Sequence, residues 1–187
     1  MLSLFKYLRT VHPLSPELRD HLDDIVKEKK LNRKDYLLKA GQISGNIYFV
    51  GQGLLRSYYH KGGKEISSCF MKEGDLCIAV ESFFTQQYGQ ENIQAIEDCV
   101  VQYITYEELQ HIYSTFSEFN YIGRVLIERC YLQSVQRTTA MWMQKAHDRY
   151  HWFIQNFPEL LQRVPAKYLA SYLGITEVML SNIKSGR

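Results

Sequence analysis

The sequence predicts an α+β protein: an antiparallel, jelly-roll-like β-roll, then one long helix, then a C-terminal pair of short helices. Three observations carry this. Across residues 31–105, short runs rich in β-branched and aromatic residues alternate with glycine-bearing turns. Residues 119–143 hold a helical pattern without proline, and residues 166–184 hold two short helical runs hinged at Gly174.

Residues 1–30 have helical texture: Ser15 and Pro16 form a helix start, and Leu18, Leu22, Ile25 and Val26 recur at helical spacing. The strand runs follow, among them Ile47-Tyr48-Phe49-Val50, Leu54-Leu55-Arg56-Ser57-Tyr58-Tyr59 and Ile66-Ser67-Ser68-Cys69-Phe70-Met71. Gly41, Gly51 and Gly53, Gly62 and Gly63, and Gly74 supply turns between them. No helical segment separates the strands, so a βαβ arrangement is excluded. After a short helix over residues 107–116, the long helix spans roughly 37 Å at about 1.5 Å per residue. That exceeds what a small domain needs, so one face is expected to pair with a second copy. The apolar stripe assigns Ile122, Val125, Arg129, Leu132, Thr139 and Met143 to this interface. A further amphipathic helix at residues 149–157 is stopped by Pro158.

Composition narrows the function. The 187 residues are 45% apolar and 13% aromatic, which a folded chain needs and a disordered one lacks. A net charge of +2 is too small for a non-specific nucleic-acid binder. Cys69, Cys77, Cys99 and Cys130 are well separated, with no CxxC pair, and read as reduced thiols. No leader and no membrane-length apolar run is present, so a cytoplasmic protein without membrane contact is expected. Asp148 with His151, and His111 or Cys130, lack the partners of a triad, metal site or phosphate loop, so catalysis is not expected.

Residues 166–184 fit a helix-turn-helix throughout. Ala170 gives the small contact where two helices cross, and Gly174 gives the unhindered turn four residues later. Leu169, Leu173, Ile175, Leu180 and Ile183 anchor both helices, and Thr176 caps the second. Candidate DNA-contacting residues are Lys167, Tyr168, Thr176, Glu177, Met179, Ser181, Asn182, Lys184 and Arg187. Asn182 has the paired donor and acceptor that read adenine, and Lys184 the point charge that meets phosphate.

These residues together resemble the Crp/Fnr family of transcription regulators. The resemblance rests on Ile47-Tyr48-Phe49-Val50-Gly51, on Lys72-Glu73-Gly74-Asp75, on Asp148-Arg149-Tyr150 leading into Phe157-Pro158, and on the helix-turn-helix. It is most similar to short members typical of Bacteroidetes. The resemblance implies a sensor β-roll with N-terminal helices (1–118), a dimerisation helix (119–145) and a DNA-binding helix-turn-helix domain (146–187). It implies a homodimer on an inverted repeat of duplex DNA, contact with RNA polymerase, and a small-molecule effector of unknown identity. Cyclic-AMP-binding members use a Gly-Glu pair and an Arg on a short phosphate-binding helix. Here Ile78 and Ala79 replace the pair, with Glu81 displaced, and residues 86–92 include Gln90, Glu91 and Asn92 but no cation. A phosphate would lose a charge-assisted contact worth about 1.5–3 kcal/mol. Cyclic AMP is therefore not expected, and the greasy run Ile78, Ala79, Val80, Phe83 and Phe84 suits an uncharged effector or none. No cysteine precedes Cys69, so an iron–sulfur cluster is not expected, and His60, His111 and Met71 read as surface or packing residues rather than haem ligands. Family members often carry Glu and Arg where this chain has Val178 and Asn182, so their target sequence does not transfer. The alternative function is a ligand-binding roll with a vestigial helix-turn-helix.

Overall fold

The computed structural model describes residues 3–186. Helix α1 (Leu4–Arg9) precedes α2 (Pro16–Ile25), whose first turn is capped by Ser15 accepting from the Leu18 N–H. The roll then runs β1 (Lys27–Leu31), β2 (Tyr36–Leu38), β3 (Asn46–Gln52), β4 (Leu55–Lys61), β5 (Lys64–Met71), β6 (Leu76–Cys77), α3 (Val80–Thr85), β7 (Asn92–Ala95) and β8 (Cys99–Thr105). Helices α4 (Tyr106–Thr115), α5 (Ser117–Met143), α6 (Ala146–Asn156), α7 (Ala166–Leu173) and α8 (Glu177–Lys184) complete the chain.

The strands form two four-stranded sheets, ordered β1-β8-β3-β6 and β2-β7-β4-β5. β8 pairs antiparallel with both β1 and β3, and Tyr103 stands opposite both Lys27 and Tyr48. Residues 27–30, helical in the sequence reading, are instead strand, as part of β1. Lys27, Glu28, Lys29 and Lys30 are exposed there on an edge strand, where charged side chains discourage pairing with another chain. A helix also interrupts the strands after all, since α3 spans Val80–Thr85.

The chain divides into two compact units. One comprises the chain up to Ser57 together with Phe70–Glu128. Its roll interior is built from Leu31, Val50, Leu55, Ile93 and Val101. A second cluster packs Leu18, Leu22, Phe49, Phe83, Ile112 and Ile122 beneath the helices. The other unit comprises Tyr58–Cys69 and the chain from Arg129 onward. The β4–β5 hairpin tip thus packs with the C-terminal helices, although sequence position places it inside the roll.

Candidate nucleic-acid interface

Local sequence dictates the helix pair. Gly174 takes φ +66, a left-handed conformation that favours glycine, and its N–H returns to the Ser171 carbonyl at 3.2 Å. Ile175 N–H reaches the Ala170 carbonyl at 3.0 Å, which closes the turn. Thr176 then starts α8, its hydroxyl accepting from the Met179 N–H at 3.1 Å. Leu169, Ala170, Leu173 and Leu180 are buried between the helices, with Ile175 and Ile183 half-buried at the margin. Phe153 of α6 completes this core, edge-on to Tyr172 with ring centroids 5.5 Å apart.

Packing Leu180 and Ile183 inward leaves the opposite face of α8 to solvent. Thr176, Glu177, Val178, Met179, Ser181, Asn182 and Lys184 are all exposed, Val178 at 72%. At 100° per residue, Val178 and Asn182 lie one turn apart near the centre of that face, with Ser181, Glu177 and Lys184 along one side. Lys167 is exposed and Tyr168 half-buried on α7. Arg187 lies outside the described residues.

Two residues that the sequence does not single out hold α7 in place. Ser171 accepts from the Ser67 N–H at 2.9 Å and donates to the Glu65 carbonyl at 2.7 Å, both on β5. The Arg137 guanidinium stacks over the Tyr172 ring at 4.5 Å. Burial pushes the Tyr172 hydroxyl far above the ordinary tyrosine range, against the pull of Arg137.

On α5 the expected interface residues part company. Ile122 is fully buried in the core of its own unit, beside Phe119 and Leu126. Val125 is half-buried, while Arg129, Leu132, Thr139 and Met143 are exposed, Leu132 at 60%. The outward stripe reads Tyr121, Val125, Glu128, Leu132, Val135, Thr139 and Trp142, a strict alternation of four- and three-residue steps. Trp142 is 81% exposed within the single chain.

In the roll, Ala79 and Asn92 are buried, Ile78 and Glu91 half-buried, and Glu81 and Gln90 exposed. The Ser57 hydroxyl donates to Glu91, and the Asn92 side-chain carbonyl accepts from the Ala40 N–H at 3.0 Å. Sequence reasoning overlooked Arg56, which β4 buries completely. Phe83 serves the core, whereas Val80 and Phe84 face outward. His60 and His111 are exposed, and Met71 is buried in the roll core. None of the four cysteines forms a disulfide: Cys77 and Cys99 are buried, while Cys69 and Cys130 are exposed. Among the described residues no helix is long and apolar enough to cross a membrane.

Residues 28–116 match the family model described as cyclic nucleotide-binding domain. No curated protein sequence matches the chain. The chain is similar in structure to CLP, the c-di-GMP responsive global regulator of Xanthomonas campestris, at 14% identity over 90% of this chain and 89% of that one, with a TM-score of 0.72. It is similar to a CooA mutant from Carboxydothermus hydrogenoformans at 18% identity, covering 99% and 84% of the two chains with a TM-score of 0.74. A protein from Eubacterium rectale assigned to the crp/fnr family of transcriptional regulators is similar at 14% identity, covering 97% and 87% with a TM-score of 0.74. Residues 28–116 thus match a cyclic nucleotide-binding domain model, and the chain shares its fold with solved structures that include one assigned to the crp/fnr family.

Proposed function

We propose that the chain is a homodimeric, sequence-specific DNA-binding transcription regulator of the Crp/Fnr type that does not respond to cyclic AMP. The observation that carries this reading is the solvent-facing side of α8, where Asn182 stands near the centre and Lys184 at the flank. Base edges are read from such a central position, while phosphates are met from the margins. Charge agrees: from Arg129 to the C-terminus eight Lys and Arg residues stand against only Asp148, Glu159 and Glu177. A surplus confined to this part of a nearly neutral chain suits a docking face rather than general stickiness.

The heptad stripe on α5 supports a parallel pairing of two copies, the arrangement in which two α8 helices would reach successive major grooves. In the roll, Glu91 engaged by Ser57 presents a carboxylate where a cyclic phosphate would need a cation. RNA polymerase and a small-molecule effector other than a cyclic nucleotide are the further partners of this reading, in the cytoplasm.

Selection from random duplexes tests it. An inverted repeat with half-sites about 34 Å apart should be enriched. Absence of any enriched sequence would favour a roll that binds a ligand with a vestigial helix pair. Calorimetry should show no cyclic AMP binding, and a micromolar dissociation constant would refute that part.

A further inference from the structure

Between the end of α5 at Met143 and the start of α6 at Ala146 the helix breaks, and the first two turns of α6 carry His147 and His151. Both imidazoles are exposed and share one face. Their Nε2 atoms lie 3.1 Å apart and their ring centroids 4.3 Å apart. On the other side of the first ring, His147 Nδ1 lies 3.7 Å from Asp148 Oδ1.

This spacing has a chemical meaning. Imidazole nitrogens bind a late first-row cation at about 2.0–2.1 Å, so two of them on one octahedral or tetrahedral ion stand about 2.8–3.4 Å apart. The observed separation falls within that bite. Two facing imidazoles satisfy each other only when one is protonated at Nε2 and the other is not. A cation lets both lone pairs converge on one acceptor. The carboxylate beside Nδ1 of His147 favours the tautomer that leaves Nε2 as ligand, as carboxylates do for many metal-bound histidines.

We propose that His147 and His151 form a surface chelate for a divalent late first-row cation, of the nickel, copper or zinc class. Imidazole ligands select these ions over magnesium and calcium, which prefer oxygen. Among the described residues no group of three or more His, Cys, Asp or Glu side chains is placed to hold a metal, so water completes the coordination. The site is therefore open and exchangeable rather than structural. An ion bridging positions four apart holds them at helical spacing, and so stiffens α6 next to the break from α5. Because α6 carries Phe153 into the helix-turn-helix core, the ion stabilises that unit by binding its folded form alone.

The test uses the full, untagged chain freed of metal and titrated with nickel alone. Wild type should bind one nickel per chain at the pair and melt at a higher temperature with nickel than without. His147→Ala and His151→Ala should each lose this binding and the melting shift while keeping the metal-free melting temperature and helical circular dichroism. Magnesium should give no shift. Absence of nickel binding by wild type, or binding by His151→Ala equal to wild type, would overturn the proposal. His147→Asn serves as a second variant that retains helix-compatible bulk, and retention of the melting shift in it would equally count against the chelate.

Discussion

The Ser171 hydroxyl donates to the Glu65 carbonyl at 2.7 Å, and this bond anchors α7 on β5. The same oxygen accepts from the Ser67 N–H at 2.9 Å. Ser171→Ala removes both partners and leaves a buried N–H at Ser67 without its acceptor. We expect a loss of about 1–3 kcal/mol in stability. Urea unfolding should show a lower midpoint at unchanged slope.

Two glycines separate backbone strain from crowding. A Cβ at Gly174 would meet nothing closer than an Arg149 nitrogen at 3.8 Å, but φ of +66 disfavours any L side chain. Gly174→Ala should therefore destabilise by about 1–2 kcal/mol through the backbone alone. Gly123 is helical, yet its Cβ would collide with the Tyr113 hydroxyl and meet two of its ring carbons at 2.6 and 2.9 Å. Gly123→Ala should destabilise by about 1–3 kcal/mol despite its gain in helix propensity. A double-mutant cycle with Tyr113→Leu, in which Gly123→Ala costs much less than it does beside the intact tyrosine, checks the cause by thermal unfolding.

Burial pushes the Cys99 thiol up to about 11. The folded state holds this proton more tightly than the unfolded chain, where a thiol ordinarily titrates near 8.5. The resulting stability is complete below that lower value and is lost as pH rises toward about 11. Unfolding midpoints should fall across this window, and fall less in Cys99→Ala. At neutral pH a thiol reagent should label Cys69 and Cys130 rapidly and spare Cys77 and Cys99 until denaturant is added.

Leu132 lies at the middle of the outward stripe on α5, and Leu132→Glu would face two carboxylates across the proposed seam. Desolvated like charges disfavour such a pairing, so the variant should be monomeric with its helices intact. Light scattering at micromolar concentration should give a dimer for the wild type and a monomer for the variant. A monomeric wild type would contradict the seam.

The α7–α8 pair and its turn were legible because their determinants are local: a small residue at 170, a left-handed glycine at 174, a cap at 176 and apolar anchors at helical spacing. The hold of Ser171 on β5 was not, because its partners lie more than a hundred residues away and serine carries no periodic signal. Ile122 shows the same limit on α5. Helical period reveals apolar stripes but not which one faces the chain's own core, and Ile122 belongs to the inner stripe with Phe119 and Leu126. Residues 27–30 carry charges that suit an exposed helix and an exposed edge strand equally, and only pairing with β8 decides. Arg56 escaped notice because composition gives no warning that a cation will be fully enclosed.

Sequence-specific DNA reading by α8 is tested most directly by the affinity of three chains, wild type, Asn182→Ala and Lys184→Ala, for a selected site and for unrelated duplex at several salt concentrations. Asn182→Ala should weaken the selected site by about 1–3 kcal/mol and leave the unrelated duplex nearly unchanged. Lys184→Ala should weaken both and reduce the salt slope by about one. Equal affinity of wild type for selected and unrelated duplex, or loss of neither with both variants, would contradict the assignment of α8 as the reading helix.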